Sequence, residues 1–233
     1  MRKVLSIVLF LSMAICASAQ IIKSEDLEKY AKERYGDKWL DAAANLQKDI
    51  TLDKNQSISY QQIVEAPGKS KQDLYVMVNY WVTATFKDKQ AITLNDKESG
   101  TIIISSTLQN IAQHLGGLSS FQVNITPIIK IDIKEGRIRT TLTVQNYDIL
   151  KKAGGGWIVA VVDAAASDTP PTETVKYDEN WEITKCYPFV EKDKHKKVSS
   201  KALVMTHAYS NVVMDKIEET IKNGLSGNEG DDW

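Results

Sequence analysis

Cysteine and histidine are scarce in this chain of 233 residues, and each scarcity removes a class of chemistry. There are two cysteines, and one of them, Cys16, lies in an apolar run at the N-terminus. If that run is cleaved, Cys186 stands alone and no intramolecular disulfide can form. A lone thiol reads first as a small buried hydrophobe and second as a nucleophile. The three histidines, His114, His195 and His207, are far apart in sequence, with no His-x-x-x-His and no Cys-x-x-Cys. No metal-ligand spacing is therefore present, and no cofactor is implied. A Gly-x-Ser-x-Gly elbow is missing too, and Gly154-Gly155-Gly156 lacks the Lys-Ser/Thr that would make it a phosphate loop, so it reads as a linker. Excess charge of one sign is also lacking. The formal net charge is −1, and loss of Arg2 and Lys3 leaves 27 basic against 30 acidic residues. That balance opposes nucleic acid as a partner, because phosphate neutralisation needs clustered Lys and Arg. No apolar run reaches the length of a bilayer span; the longest, Val4 to Cys16, is too short.

What is present begins with an export signal. Arg2 and Lys3 precede the apolar run, and Ala17-Ser18-Ala19 places small residues at a cleavage site. The spacing predicts a signal peptide over 1–19, cut between Ala19 and Gln20, and a mature chain that is periplasmic or secreted with no integral membrane segment. Ile15, neither small nor flexible, precedes Cys16 and argues against lipoprotein processing. With 42% hydrophobic and 25% charged residues, the remainder has enough apolar content to bury a core.

Residues 24–49 carry helical periodicity interrupted by Gly36, with Ser24 and Asp37 as expected caps and Leu27, Tyr30, Ala31, Trp39, Leu40, Ala43, Ala44 and Leu46 as the apolar faces. Asp53-Lys54-Asn55-Gln56 is a turn, and Ile58 to Glu65 alternates as a strand. Ser70-Lys71-Gln72-Asp73 is a capping-box start for a helix bearing Leu74, Met77, Val78, Trp81, Val82 and Thr85. Strand-like runs follow at 91–96 and 101–108, then a Gly-Gly loop near Gly116. Ile129, Ile131 and Ile133 alternate with charged residues, as do Ile138, Thr140, Leu142 and Val144, on either side of Glu135-Gly136. This predicts a two-residue hairpin pairing Ile133 with Ile138, Asp132 with Arg139 and Ile129 with Leu142. Trp157 to Val162 is a short strand candidate, the Pro170-Pro171 stretch a loop, and Trp181-Glu182-Ile183 a further strand closing at Tyr187-Pro188. Glu191 to Lys197 reads as a solvated loop. Ser199 or Ser200 is the expected cap of a long helix with Ala202, Met205, Tyr209, Val213, Ile217 and Ile221 on its buried stripe, ended by Asn223-Gly224. Strands bunched between helices imply an α+β fold, a curved antiparallel sheet with helices packed on one face, preceded by an N-terminal helical segment. The expected organisation is a signal peptide at 1–19, a helical segment at 20–55, an α+β domain at 56–224 and a disordered acidic tail at 225–233.

No catalytic constellation stands out. Asp132 has a structural role opposite Arg139, Asp96 and Glu98 sit in a turn, and Asp163 is the one carboxylate worth following. Cys186 with a histidine would be a nucleophilic pair only if the fold joined them. Tyr75, Tyr80 and Trp157 are candidates for a ligand groove, set against plain packing.

The helix Asp73–Phe86 with Trp81, the turn and strand Asn95-Asp96-Lys97-Glu98-Ser99-Gly100-Thr101-Ile102, and the hairpin Lys134-Glu135-Gly136-Arg137-Ile138-Arg139 together resemble an exported bacterial family, the domain of unknown function DUF4468. Tyr187-Pro188-Phe189 and the final helix extend the resemblance, over roughly residues 58–222. Tyr35-Gly36-Asp37-Lys38-Trp39 resembles extensions seen in similar exported proteins. The resemblance implies a TBP-like fold and an envelope or secreted setting; it supplies no reaction. The reading that follows is an exported non-catalytic domain that binds a protein, peptide or cell-envelope component. Its rivals are a hydrolase built from scattered residues such as Asp163, His207 and Cys186, and DNA binding by fold analogy, which the export signal and acidic balance oppose.

Overall fold

The computed structural model describes residues 21–86, 89–116, 120–153 and 175–224. The expected signal peptide at 1–19, the strand candidate Trp157 to Val162, Asp163, the expected loop at Pro170-Pro171 and the expected acidic tail at 225–233 lie outside them.

The β-hairpin predicted from alternation anchors the architecture. Strands β7 (Ile128–Lys134) and β8 (Arg137–Val144) pair in the expected register, Ile133 with Ile138, Asp132 with Arg139 and Ile129 with Leu142. Ile129, Ile131, Ile133, Ile138 and Leu142 are buried on one face, each contributing about 1.5–3 kcal/mol of apolar burial. Strands β1 (Thr51–Leu52), β2 (Ile58–Glu65), β3 (Ile92–Asp96) and β4 (Thr101–Ser105) complete a six-stranded antiparallel sheet in the order β1-β2-β8-β7-β4-β3. A second sheet has the order β10-β9-β6-β5, from β5 (Leu108–Leu115), β6 (Ser120–Ile125), β9 (Asn146–Ala153) and β10 (Val175–Glu182).

The two sheets are successive arms of one curved surface. β4–β7–β8 are neighbours in the first, and β5–β6–β9, the segments joined to them by one or two residues, are neighbours in the second. The bend falls at Ser106-Thr107, Thr126-Pro127 and Gln145. Pro127 has no amide hydrogen to give to a ladder, which favours a break there. The bend is held from outside by the Thr107 and Thr126 hydroxyls, 3.0 Å apart, with Thr126 donating to Asp148 at 2.8 Å.

Four helices are described, and they gather on the apolar face of this surface. α3 (Lys71–Thr85) starts with the predicted capping box between Ser70 and Asp73. Glu135 of the hairpin turn accepts the Lys71 amide at 2.9 Å, a carboxylate at the positive end of the helix. α4 (Lys196–Asn223) lies across β2 and β5 and is covered in turn by α1 (Ser24–Tyr35), α2 (Trp39–Leu46) and α3. All six predicted stripe residues of α4 are buried, and so are Leu203, Val204, Ala208, Val212 and Met214. The helix is wrapped rather than laid on a surface. Leu27, Ala31, Ala42, Ala43 and Leu46 of α1 and α2 share its hydrophobic core.

Local expectations need correcting in several places. Ser24 does not cap α1; Lys23 precedes the helix and the Ser24 hydroxyl donates to the Gln109 carbonyl at 2.6 Å, tying α1 to β5. Asp37 does not cap α2, which begins after Lys38 with no side-chain cap. Ser199 and Ser200 lie inside α4, buried, with Ser200 donating to the Lys196 carbonyl; the helix starts at Lys196, within the stretch read as a loop. The run 101–108 is two strands, because the bend separates Ser105 from Leu108. Ile183 turns into a 3-10 helix instead of continuing β10.

Candidate functional site

β10 and the 3-10 turn Ile183–Lys185 lead into a connector, Cys186–His195, that folds back beside β10 before α4 begins. Asp193 shapes this connector. One carboxylate oxygen accepts the Tyr187 amide at 2.9 Å and the other the His195 amide at 2.7 Å. Burial opposes the Asp193 charge, yet these two amide hydrogen bonds help to hold its carboxyl below the ordinary range.

The folded connector sets His195 flat against Trp181, ring centres 4.8 Å apart and planes 11° from parallel. Phe121 of β6 meets Trp181 edge-on at 5.3 Å, and His114 of β5 stacks on Phe121 at 5.2 Å. His114 and His195, far apart in sequence, are 6.4 Å apart by ring centre. Burial lowers the His195 pKa, helped by the His114 and Lys151 charges and opposed by Asp193.

Beside this aromatic wall is a cleft of about 500 Å³. Its charged rim includes Lys151, which pairs with Glu179, and Lys185, which pairs with Glu182. Lys192 and Lys194 are exposed and have no ion-pair partner among the described residues. An aromatic platform with unpaired cations suits a ligand that is both flat or apolar and negatively charged.

The residues singled out from sequence are dispersed. Tyr75 is buried and donates its hydroxyl to Asn95; Tyr80, five positions on, is 57% exposed; Trp157 lies outside the described residues. Neither tyrosine lines the cleft. Cys186 lines it but is 4% exposed, its thiol turned to the Glu182 carbonyl at 3.4 Å. Burial, with the Asp193 charge adding to it, pushes that thiol up to about 12. His207 sits elsewhere, between the rings of Tyr35 and Tyr60, with Nδ1 3.3 Å from the Tyr60 hydroxyl. Asp132 is held by Lys130 and Arg139, which outweigh burial and keep its carboxyl low.

Residues 60–148 match the family model of DUF4468, a domain of unknown function with TBP-like fold. The DUF4468 match runs from β2 into β9, a shorter span than the sequence motifs suggested, and leaves Trp181, Tyr187-Pro188-Phe189 and α4 outside. Similar solved structures include a TBP-like protein from Parabacteroides distasonis ATCC 8503, 13% identical with TM-score 0.47, covering 74% of this chain and 97% of that one. A DUF4468 family protein from Bacteroides ovatus ATCC 8483 is 15% identical with TM-score 0.42, covering 72% and 90%. No curated protein matches the chain.

The two partly buried histidines make a pH prediction. Burial lowers both His195 and His207, so the unfolded chain binds protons more readily than the folded one. Stability is complete above the ordinary histidine value and is lost as pH falls through it toward the folded values. Unfolding free energy, measured by urea titration, should drop between about pH 7.5 and about pH 5. His207→Gln should flatten part of that slope. An unchanged slope would remove His207 as its source.

Proposed function

We propose that this chain is an exported, non-catalytic binding domain whose Trp181–His195 cleft receives a protein, peptide or envelope component. The observation that carries the reading is the cleft itself, where stacked rings stand next to two lysines with no ion-pair partner among the described residues. The state of Cys186 supports it over the hydrolase alternative: a thiol raised to about 12 is protonated near neutrality and so is a poor nucleophile. His207 spends its contacts on Tyr35 and Tyr60, away from that thiol. The opening signal-type peptide supports export to the periplasm or beyond.

Crosslinking of the purified mature chain to an envelope fraction tests the reading. A retained partner should crosslink near Lys192, and Trp181→Ala should weaken it by about 30-fold, as loss of a central aromatic anchor worth ~2 kcal/mol does. A chain that retains no partner while turning over a substrate would overturn the proposal.

A further inference from the structure

Side chains alternate along a strand, so Ile63 and Glu65 of β2, Arg137 and Arg139 of β8, and Asp132 and Lys134 of β7 all stand on the sheet face turned away from the helices. Register places Glu65, Arg137 and Lys134 in one cross-strand row and Ile63, Arg139 and Asp132 in the next. A recess of about 160 Å³ opens here, lined by Ile63, Asp132, Lys134, Arg137, Ile138 and Arg139. The Ile138 side chain is buried on the helix side of the sheet, so Ile138 gives the recess its backbone as floor. Ile63, 52% exposed, is the apolar wall.

The charges around the recess are settled unevenly. Asp132 is held by Lys130 at 2.9 Å and by Arg139 at 2.7 Å. Lys134 and Arg137 stand directly opposite each other, and neither has an ion-pair partner among the described residues. Like charges facing each other across two strands cost stability. Glu65 neighbours Arg137 in its row, yet it makes no ion pair with it and does not line the recess. One end of the recess therefore keeps uncompensated positive charge, and the other presents an exposed apolar side chain. A cavity of ~150 Å³ accommodates one benzene ring, so the volume suits a single ring and not a longer chain. A guanidinium grips a carboxylate through two parallel N–H···O bonds, and a lysine adds a compact charge beside it.

We propose that this recess binds a small free carboxylate carried on one ring, with the ring against Ile63 and the carboxylate between Arg137 and Lys134. The bound anion relieves the repulsion between the two opposed cations. Both parts of the ligand are needed. A charge alone on an exposed face is screened by salt, and a ring alone leaves the cations uncompensated. No residue of the recess belongs to the Trp181–His195 cleft, so the two sites stand or fall separately.

Titration of the isotope-labelled full mature chain with benzoate, followed by nuclear magnetic resonance, tests the proposal. Shifts should saturate and centre on Ile63, Lys134 and Arg137. Benzyl alcohol, which has the ring without the charge, and acetate, which has the charge without the ring, should each bind at least about tenfold more weakly. Arg137→Gln should weaken benzoate by a similar factor, and Ile63→Ser should erase the advantage of benzoate over acetate. Both positions are exposed, and an amide spectrum unchanged elsewhere shows that the fold is kept. Shifts that grow without saturating would overturn the proposal, as would acetate or benzyl alcohol binding as well as benzoate, or Arg137→Gln binding benzoate undiminished. Shifts centred on Trp181 and His195 would place the carboxylate in the cleft and overturn it equally.

Discussion

Gly100→Ala should destabilise the protein by about 3 kcal/mol, whereas Gly68→Ala should cost about 1 kcal/mol. Both glycines have positive φ, 73° at Gly100 and 83° at Gly68, where an L side chain is strained. They differ in what surrounds them. A Cβ at Gly68 meets nothing within 4 Å, but at Gly100 it would stand 2.6 Å from the Ile133 carbonyl oxygen and 2.5 Å from Lys71 Cε. The lysine tip can swing aside, giving up its 2.6 Å bond to the Glu98 carbonyl. The Ile133 carbonyl belongs to β7, and the Ile133 amide is itself bonded to the Gly100 carbonyl at 2.7 Å. Relief therefore requires the turn to part from the hairpin. Urea midpoints of the two variants, at unchanged m-value, measure the difference. Equal losses would mean that the turn does not approach β7 as described.

The parts of this fold that were legible are those where local chemistry and tertiary packing agree. The β7–β8 hairpin alternates without interruption and has a two-residue turn with Gly136 at φ 68°, so its register follows from counting. The capping box at Ser70 is legible for the same reason, since its two partners are three residues apart. β5 was hidden by a bulge. Asn110 takes φ 55° and its amide bonds to the Asn124 side chain at 2.8 Å. The register slips between Leu108 and Ala112, and Ile111 and Ala112 become buried as consecutive residues. Period-two alternation is lost there, and the segment stops reading as a strand. β9 was hidden because only Tyr147 and Ile149 alternate as buried apolar residues before Lys151.

The candidate site was less legible than the fold. Trp181 was read as a strand residue and His195 as part of a solvated loop, and both descriptions are locally reasonable. Their contact depends on the fold-back of the Cys186–His195 connector beside β10, and the order β10-β9-β6-β5 brings in Phe121 and His114 from strands sixty or more residues earlier. No spacing rule spans such distances. Asp193 offered a faint local clue, an acid two residues before His195 that can accept backbone amides.

Leu203→Ala should cost about 2–5 kcal/mol. The prediction separates two pictures of α4. If the helix presented a single stripe through Ala202, Met205, Tyr209 and Val213, Leu203 would stand about 100° off Ala202. A substitution on the exposed side of such a helix would fall within about 0.5 kcal/mol. Here Leu203 is fully buried, as are Val204 and Ala208, because α1 and α2 cover one side of α4 while β2 and β5 lie on another. Truncation leaves a cavity between layers that cannot close without moving a helix, so both lost burial and the void count against the variant. Lys201→Ala is the control on the same turn. Lys201 is half-buried and bridges to Glu28 at 2.7 Å, a partly exposed pair worth about 1 kcal/mol or less. A Leu203→Ala loss no larger than that of Lys201→Ala would show that the N-terminal helices do not seal α4, and the wrapped-helix core would have to be redrawn.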